Sequence, residues 1–217
     1  IIANMQNQGL IRDSSSAYSS PPVLTRKPSG KWRFTNDFRA LNAQLTPYEY
    51  PLPRIDEYHE AVAGNTWFAT IDLSSGYWHI PIAEEHKSKT AFNIPGLGNY
   101  EYNRLPMGLS TSTAYFQRLM AMVLKGLPLS VCLPYLDDII IIAKSLPELV
   151  ERCEAVFAQV RAAGLKINPE KTVIGVRMVK FLGFMVSKEG IHVTDDHIRK
   201  VVDWPAPRTV KDVRRFL

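Results

Sequence analysis

Cysteine is scarce in this chain: Cys132 and Cys153 are the only two among 217 residues, both in apolar stretches and 21 positions apart. That spacing excludes a disulfide framework and matches no zinc ligand set, so two buried thiols in a reducing compartment are expected. No apolar run approaches the roughly 18 residues that span a bilayer, and no membrane partner is expected. Internal repeats and low-complexity tracts are missing, which argues against solenoid and tail architectures. The sequence opens without an initiator Met or a charged-then-apolar leader, and it stops at RRFL inside what reads as the start of a helix. The expectation is a piece of something longer.

What is present is an ordinary globular composition, 46% apolar and 22% charged, with a net charge of +5. Its distribution is uneven. Residues 1–60 carry 7 basic and 6 acidic side chains, residues 61–160 carry 7 and 9, and residues 161–217 carry 12 and 6. A basic flank beside an acidic centre suits a protein that holds a polyanion at its edge and gathers cations at its heart, although a solvated surface would show the same sum.

The opening third is rich in Ser, Pro and Gly, which predicts loops and short strands. Val23 to Thr25 and Trp32 to Thr35 flank the turn signal KPSG and read as a hairpin with a basic tip. In WFATIDL, Phe68, Thr70 and Asp72 share one face of a strand, and Trp67, Ala69, Ile71 and Leu73 share the other. YWHIPI, TAFNI and NYEYNRL read as further short strands. From Ser110 the period becomes helical, with Phe116, Leu119, Met120, Val123 and Leu124 on one stripe and Gly126 as the stop. A second helix opens at Pro147, Glu148 and Glu151, buries Leu149, Cys153, Val156 and Val160, and closes at Gly164. Between the helices, VCLPYLDDIIIIAK reads as two strands around an acidic turn. The succession argues an α+β layer with helices on one face of a sheet.

Adjacent strand residues point to opposite faces, so Asp137 and Asp138 are expected in the turn between residues 131–135 and 139–143. The four isoleucines 139–142 are apolar on both faces and predict a central strand that holds this turn rigidly. Two carboxylates about 4 Å apart repel by roughly 4 kcal/mol at an effective dielectric near 20. A proton, an Arg or Lys, or a metal must compensate, and the nearest downstream base is Lys144. Asp72 ends another strand 65 residues earlier. Oxygen ligation by two or three carboxylates selects a hard cation such as Mg²⁺. Two such ions suit phosphoryl transfer.

The stretches KWRFTNDFRALN, ATIDLSSGYWHIPI, KTAFNIPGLGNYEYNRLPMGLSTSTAYFQRLM, YLDDIIIIAKS, AGLKINPEKT and VKFLGFMVSKEGI resemble, in order and spacing, the reverse transcriptase domain of gypsy-type long-terminal-repeat retrotransposons. The resemblance implies an α+β right-hand polymerase fold, with a ferredoxin-like palm sheet carrying helices on one face. It divides the chain into fingers (1–66), the first catalytic palm strand (67–82), fingers again (83–106), palm with a primer-grip hairpin (107–190), and the start of a thumb or connection (191–217).

It also implies roles. Asp72 and Asp137, with the Leu73 carbonyl, would hold two Mg²⁺ ions, for which Mn²⁺ could substitute, and Asp138 would support them. Arg26, Arg33, Tyr77, Gln117 and Lys171 would contact the dNTP, Tyr77 by excluding a 2′-hydroxyl and Lys171 by protonating pyrophosphate. Gly108, Tyr135, Leu136, Phe181, Leu182 and Gly183 would meet template or primer. Met107 and Ser110 to Thr113 depart from the usual pattern near the template path. Lys188, Arg199, Lys200, Arg208, Lys211, Arg214 and Arg215 would flank the departing duplex, Asp195 to Trp204 would form a short helix, and TVKD would cap another.

The implied activity is RNA-directed DNA polymerisation in retrotransposon replication. The implied partners are RNA and DNA template-primers, dNTPs, and ribonuclease H and integrase domains elsewhere in a polyprotein. The implied location is the cytoplasm, within virus-like particles, with a later nuclear stage. A non-catalytic nucleic-acid-binding descendant and an RNA-dependent RNA polymerase are the competing readings.

Overall fold

The computed structural model describes residues 1–26, 30–51, 53, 55–194, 198–199 and 202–216. The chain runs α1 (Ile2–Asn7), β1 (Ile11–Asp13), β2 (Pro22–Arg26), β3 (Trp32–Asn36), α2 (Arg39–Asn42), α3 (Ile55–Val62), β4 (Trp67–Asp72), α4 (Glu84–Lys87), β5 (Phe92–Ile94) and β6 (Gly98–Tyr102). It continues through α5 (Ser112–Val123), β7 (Cys132–Tyr135), β8 (Asp138–Ala143), α6 (Leu146–Ala162), β9 (Val173–Val176), β10 (Met178–Phe181), β11 (Phe184–Ser187), β12 (Gly190–Val193) and α7 (Val210–Phe216).

The central sheet has the order β7-β8-β4-β9, with every pair antiparallel. Its alternation follows the sequence. Ala69 and Ile71 of β4, Leu73 just beyond it, and Ile139 and Ile141 of β8 pack on α5 (Phe116, Met120) and α6 (Leu149, Cys153, Val156, Val160). Phe68, Ile140 and Ile142 face the other way, onto Tyr58 and Val62 of α3 and Val179, Phe181 and Val186 of the β10-β11-β12 sheet. All four isoleucines are fully buried. The long helices therefore lie on one face, while a short helix and a second sheet cover the other. Pro134 stands on edge strand β7, where a missing N–H costs no ladder bond, and the Tyr58 hydroxyl donates to its carbonyl at 2.6 Å.

The helix ends follow the sequence signals. Ser145 caps α6 by accepting from the Glu148 N–H, and Pro147 sits in the first turn. Thr209 and Asp212 cap α7 reciprocally. Both cysteines are buried free thiols, pushed up to about 11 by desolvation.

A smaller sheet, β1-β6-β5, covers a third core of Met5, Leu10, Ile11, Phe38, Phe92, Tyr100 and Tyr102. The hairpin β2-β3 projects from it with every residue of β2 exposed, including Leu24. Lys27, and residues 195–197, 200 and 201 of the short helix expected from Asp195 to Trp204, lie outside the described residues. One expectation is corrected: YWHIPI is not a strand. Residues Gly76–His79 form a 3₁₀ turn that Ser75 enters at φ 56°, and only Pro81 makes a bridge, to Arg104. Aromatic and β-branched composition suggests a strand there, but the positive φ at Ser75 breaks the extended run.

Candidate active site

The antiparallel register sets Asp72, the last residue of β4, directly opposite Asp138, the first residue of β8. Asp138 also pairs with Tyr135, so the hairpin turn consists of Leu136 and Asp137 alone. Asp138 thus belongs to the strand, which corrects the expectation that both acids occupy the turn. The Leu73 N–H donates to the Asp137 carbonyl at 3.0 Å, tying the end of β4 to this turn.

The three carboxylates serve two clefts. Asp72 and Asp137 line one of about 310 Å³ together with Arg33, Leu73, Ser74, Ser75, Gly76, Tyr77, Met107, Phe116, Asn168 and Lys171. Asp72 and Asp138 line the other, of about 180 Å³, with Thr70, Ile71, Lys171, Lys180, Phe181 and Leu182. Asp72 and Lys171 border both, and their neighbours explain why. The Lys171 ammonium lies 2.8 Å from Asp72 Oδ2, across 99 residues of chain. Lys171 supplies the compensating cation that no residue near the Asp-Asp pair supplies. The bond to Asp72 raises the lysine's pKa. Asp138 titrates above the usual aspartate range, first because burial disfavours its charge and then because Asp137 and Asp72 repel it.

Lys171 is held by a turn on Asn168. The Asn168 N–H donates to the Asp72 carbonyl at 2.8 Å, and its own carbonyl accepts from Lys171, from Thr172 N–H and from the Thr172 hydroxyl. Beside it, Ser74 N–H donates to the Lys166 carbonyl, and His79 Nε2 lies 2.9 Å from the Ser74 carbonyl, where it serves as the donor. Burial lowers the His79 pKa, and the Ser74 bond works against that shift.

Gly76 allows the tightest approach in the site. A Cβ there would meet the Phe116 ring at 2.9 Å and Asp137 Cβ at 3.3 Å. The Tyr77 ring stands edge-on to Phe116, 5.5 Å between centroids, and its hydroxyl is 3.4 Å from Thr113 Oγ1. Among the described residues, the non-glycine residues with positive φ are Ser75, Leu136 and Leu182. Ser75 and Leu182 line the clefts and Leu136 precedes Asp137, so this backbone strain is concentrated at the site.

The other expected site residues divide. Arg33 reaches the first cleft, whereas Arg26 lies over the Trp32 ring at 5.8 Å. Gln117 is only 3% exposed and lies beneath the cleft, where its side-chain carbonyl accepts from the Leu136 N–H at 3.1 Å. Gly108 has φ +100°, a Cβ there would meet the Asn36 carbonyl at 3.5 Å, and Asn42 donates to the Gly108 carbonyl. Tyr135 packs with the α3 side of the core and Leu136 with the α5 side. Leu182 and Gly183, at φ 49° and 84°, form the two-residue turn between β10 and β11, with Phe181 buried before it. Gly76, Asn168, His79 and Lys180 were not foreseen as site residues. The glycine between Asp72 and Tyr77 was the available signal for the first, as a place of close backbone approach.

As donors, the acids at this site offer carboxylate oxygen only, which suits a hard divalent cation. They are not gathered into a ready-made shell: among the described residues no group of three or more His, Cys, Asp or Glu side chains converges as a metal site. The physical reason is on hand, since three like charges separate and Asp72 is already engaged by Lys171.

A family model described as reverse transcriptase (RNA-dependent DNA polymerase) matches residues 25–186. The Retrovirus-related Pol polyprotein from transposon 297 of Drosophila melanogaster is 39% identical over 221 residues, covering 100% of this chain and 21% of that protein. The corresponding polyprotein from transposon gypsy of the same organism is 34% identical, with 100% and 21% covered. The Transposon Tf2-3 polyprotein of Schizosaccharomyces pombe is 34% identical, with 96% and 16% covered. The chain therefore spans about a fifth of the length of these curated relatives. Among solved structures, the foamy viral protease-reverse transcriptase dRH in complex with double-stranded DNA superposes with a TM-score of 0.90 at 28% identity, over 99% of this chain and 38% of that one. The foamy viral protease-reverse transcriptase in complex with an RNA/DNA hybrid superposes at 0.82 and 28% identity, over 99% and 28%.

Proposed function

The chain belongs to the reverse transcriptase (RNA-dependent DNA polymerase) family, and on that premise we propose that it extends a primer 3′-hydroxyl with deoxynucleoside triphosphates on an RNA or DNA template. The observation that carries the proposal is the convergence of Asp72 and Asp137, from distant parts of the chain, on one cleft with Arg33, Tyr77 and Lys171. Kinship with retrotransposon polyproteins favours this activity over an RNA-dependent RNA polymerase or a non-catalytic nucleic-acid binder.

In this reading Asp72, Asp137 and the Leu73 carbonyl hold magnesium or manganese, and Asp138 supports them from the second cleft. The chemistry such ions supply when bound is a lowered pKa for the attacking hydroxyl and neutralisation of triphosphate charge. The protein's own groups do the rest. Arg33 and Lys171 draw the phosphates into the cleft. Tyr77, braced by Phe116, occupies the volume a 2′-hydroxyl would need. The Phe181–Gly183 turn, bordering the second cleft, supports the primer end. Lys188, Arg199, Arg208 and Arg214 meet duplex phosphates without reading sequence, so affinity falls with salt.

We assign residues 1–66 and 83–106 to fingers, 67–82 and 107–190 to palm, and 191–217 to the start of a thumb. The wider setting is a polyprotein with ribonuclease H and integrase domains, acting in cytoplasmic virus-like particles.

Primer extension on RNA and DNA templates with Mg²⁺, with and without chelator, tests the activity. Asp137→Asn is expected to abolish incorporation while leaving the circular dichroism spectrum and melting curve intact. Wild-type incorporation by that variant would overturn the assignment.

A further inference from the structure

The pair that binds the site together also raises a question of occupancy. Asp72 is largely enclosed, its side chain 15% exposed, while the Lys171 side chain bonded to it is 65% exposed. Among the described residues no other lysine or arginine pairs with Asp72, Asp137 or Asp138. Lys171 also borders both clefts, on either side of Asp72. Its backbone is fixed by the Asn168 turn, so the ammonium is delivered to Asp72 by the fold itself. A compact ammonium on a flexible four-carbon stem can leave without moving that turn.

We propose that Lys171 is the resident counter-cation of this site, bound to Asp72 until a divalent ion displaces it, and that it thereby sets how tightly the substrate-free enzyme holds that ion. The proposal rests on the metal-dependent reading above. A monovalent cation 2.8 Å from Asp72 Oδ2 and a divalent ion on the same carboxylate repel each other at close range. Ion entry therefore requires the lysine to withdraw, and its mostly exposed stem has solvent to withdraw into. Lys171 holds Asp72 in place meanwhile, and it makes the empty site a weak one that fills when a phosphate-bearing substrate brings its own ligands.

The test is Mn²⁺ binding to the 217-residue chain without nucleotide or nucleic acid, followed by the electron paramagnetic resonance signal of the free ion. Lys171→Met is expected to bind Mn²⁺ about tenfold more tightly than wild type, because it removes a like charge from the site. Lys171→Arg, which keeps the charge, is expected to bind as wild type does, and Asp72→Asn to lose binding in either background. Unchanged or weaker binding by Lys171→Met, with Asp72→Asn still abolishing it, overturns the proposal and leaves the polymerase reading standing. Binding that survives Asp72→Asn removes the metal-dependent reading of this carboxylate, and this proposal with it. Melting curves show that each variant is folded, and Lys171→Gln repeats the charge removal with a polar side chain should the methionine variant melt early.

Discussion

The side-chain carbonyl of Gln117, on α5, accepts a hydrogen bond from the backbone N–H of Leu136, the residue before Asp137. Leu136 has φ 55°, a conformation that a branched side chain adopts only when its surroundings impose it. Gln117 is part of what imposes it, and it works from a buried position. Replacing Gln117 by Leu leaves the Leu136 N–H without its partner in a part-buried setting, at a cost of about 1–3 kcal/mol. Denaturant titration checks that loss. Incorporation is expected to fall further than the loss of folded protein accounts for, because the turn that presents Asp137 relaxes. Full specific activity in the folded Gln117→Leu protein would show that the turn holds itself.

Gly76→Ala places a methyl carbon against Phe116 and Asp137 with no open space to receive it. Overpacking of this kind costs about 1–3 kcal/mol. Phe116 braces Tyr77, so the KM for dNTP is expected to rise as well. A combined Gly76→Ala and Phe116→Leu protein is expected to recover stability. If the single variant melts as wild type does, the contact is not tight in solution.

Tyr77→Val opens the volume beside Phe116 and Thr113. Ribonucleotide insertion relative to deoxyribonucleotide insertion is expected to rise by about tenfold or more, the scale on which a removed steric contact discriminates. Single-nucleotide kinetics with each substrate measure it, and an unchanged ratio would remove Tyr77 from sugar selection.

Asp138 carries a pKa above its ordinary 3.8, through burial and the field of its two acidic neighbours. The folded state therefore binds this proton more tightly than the unfolded state. The carboxyl's contribution to stability is greatest below 3.8 and is lost as pH rises through the raised value. At neutral pH its charge is a burden on the fold. Asp138→Asn is accordingly expected to raise the melting temperature at pH 7, with the gain shrinking as pH falls through the raised value. A gain that is independent of pH, or no gain at all, would contradict this account.

Three strands of the central sheet, β4, β7 and β8, were legible because period-two alternation in residues 67–73 and a doubly apolar run at 139–142 leave few arrangements, whereas β9 was not expected from the sequence. The stripe of α6 was legible for the same reason, and its four expected residues are the ones buried. The position of Asp138 was not, because a two-residue turn and a slightly longer one differ only in backbone torsions. Lys171 could be noted in sequence, but its bond to Asp72 spans 99 residues and is created by the turn on Asn168, which no local pattern announces. For Gln117 the family resemblance implies a nucleotide contact, and the structure adds a bond to the Leu136 N–H from a buried position. Its burial depends on how α5 lies against β7 and β8, a matter of packing rather than of period.

A strand that is greasy on both sides has no preferred frame. Sliding β8 by one step along β4 would still bury four isoleucines, since hydrophobicity alone does not tell Ile139 from Ile140. It would nonetheless turn Asp138 to the opposite face of the sheet and part it from Asp72. What denies that slide is the length of the Leu136–Asp137 link and the glutamine pinning it. Inserting a single residue into the Leu136–Asp137 link should thus yield a protein that is folded yet catalytically mute.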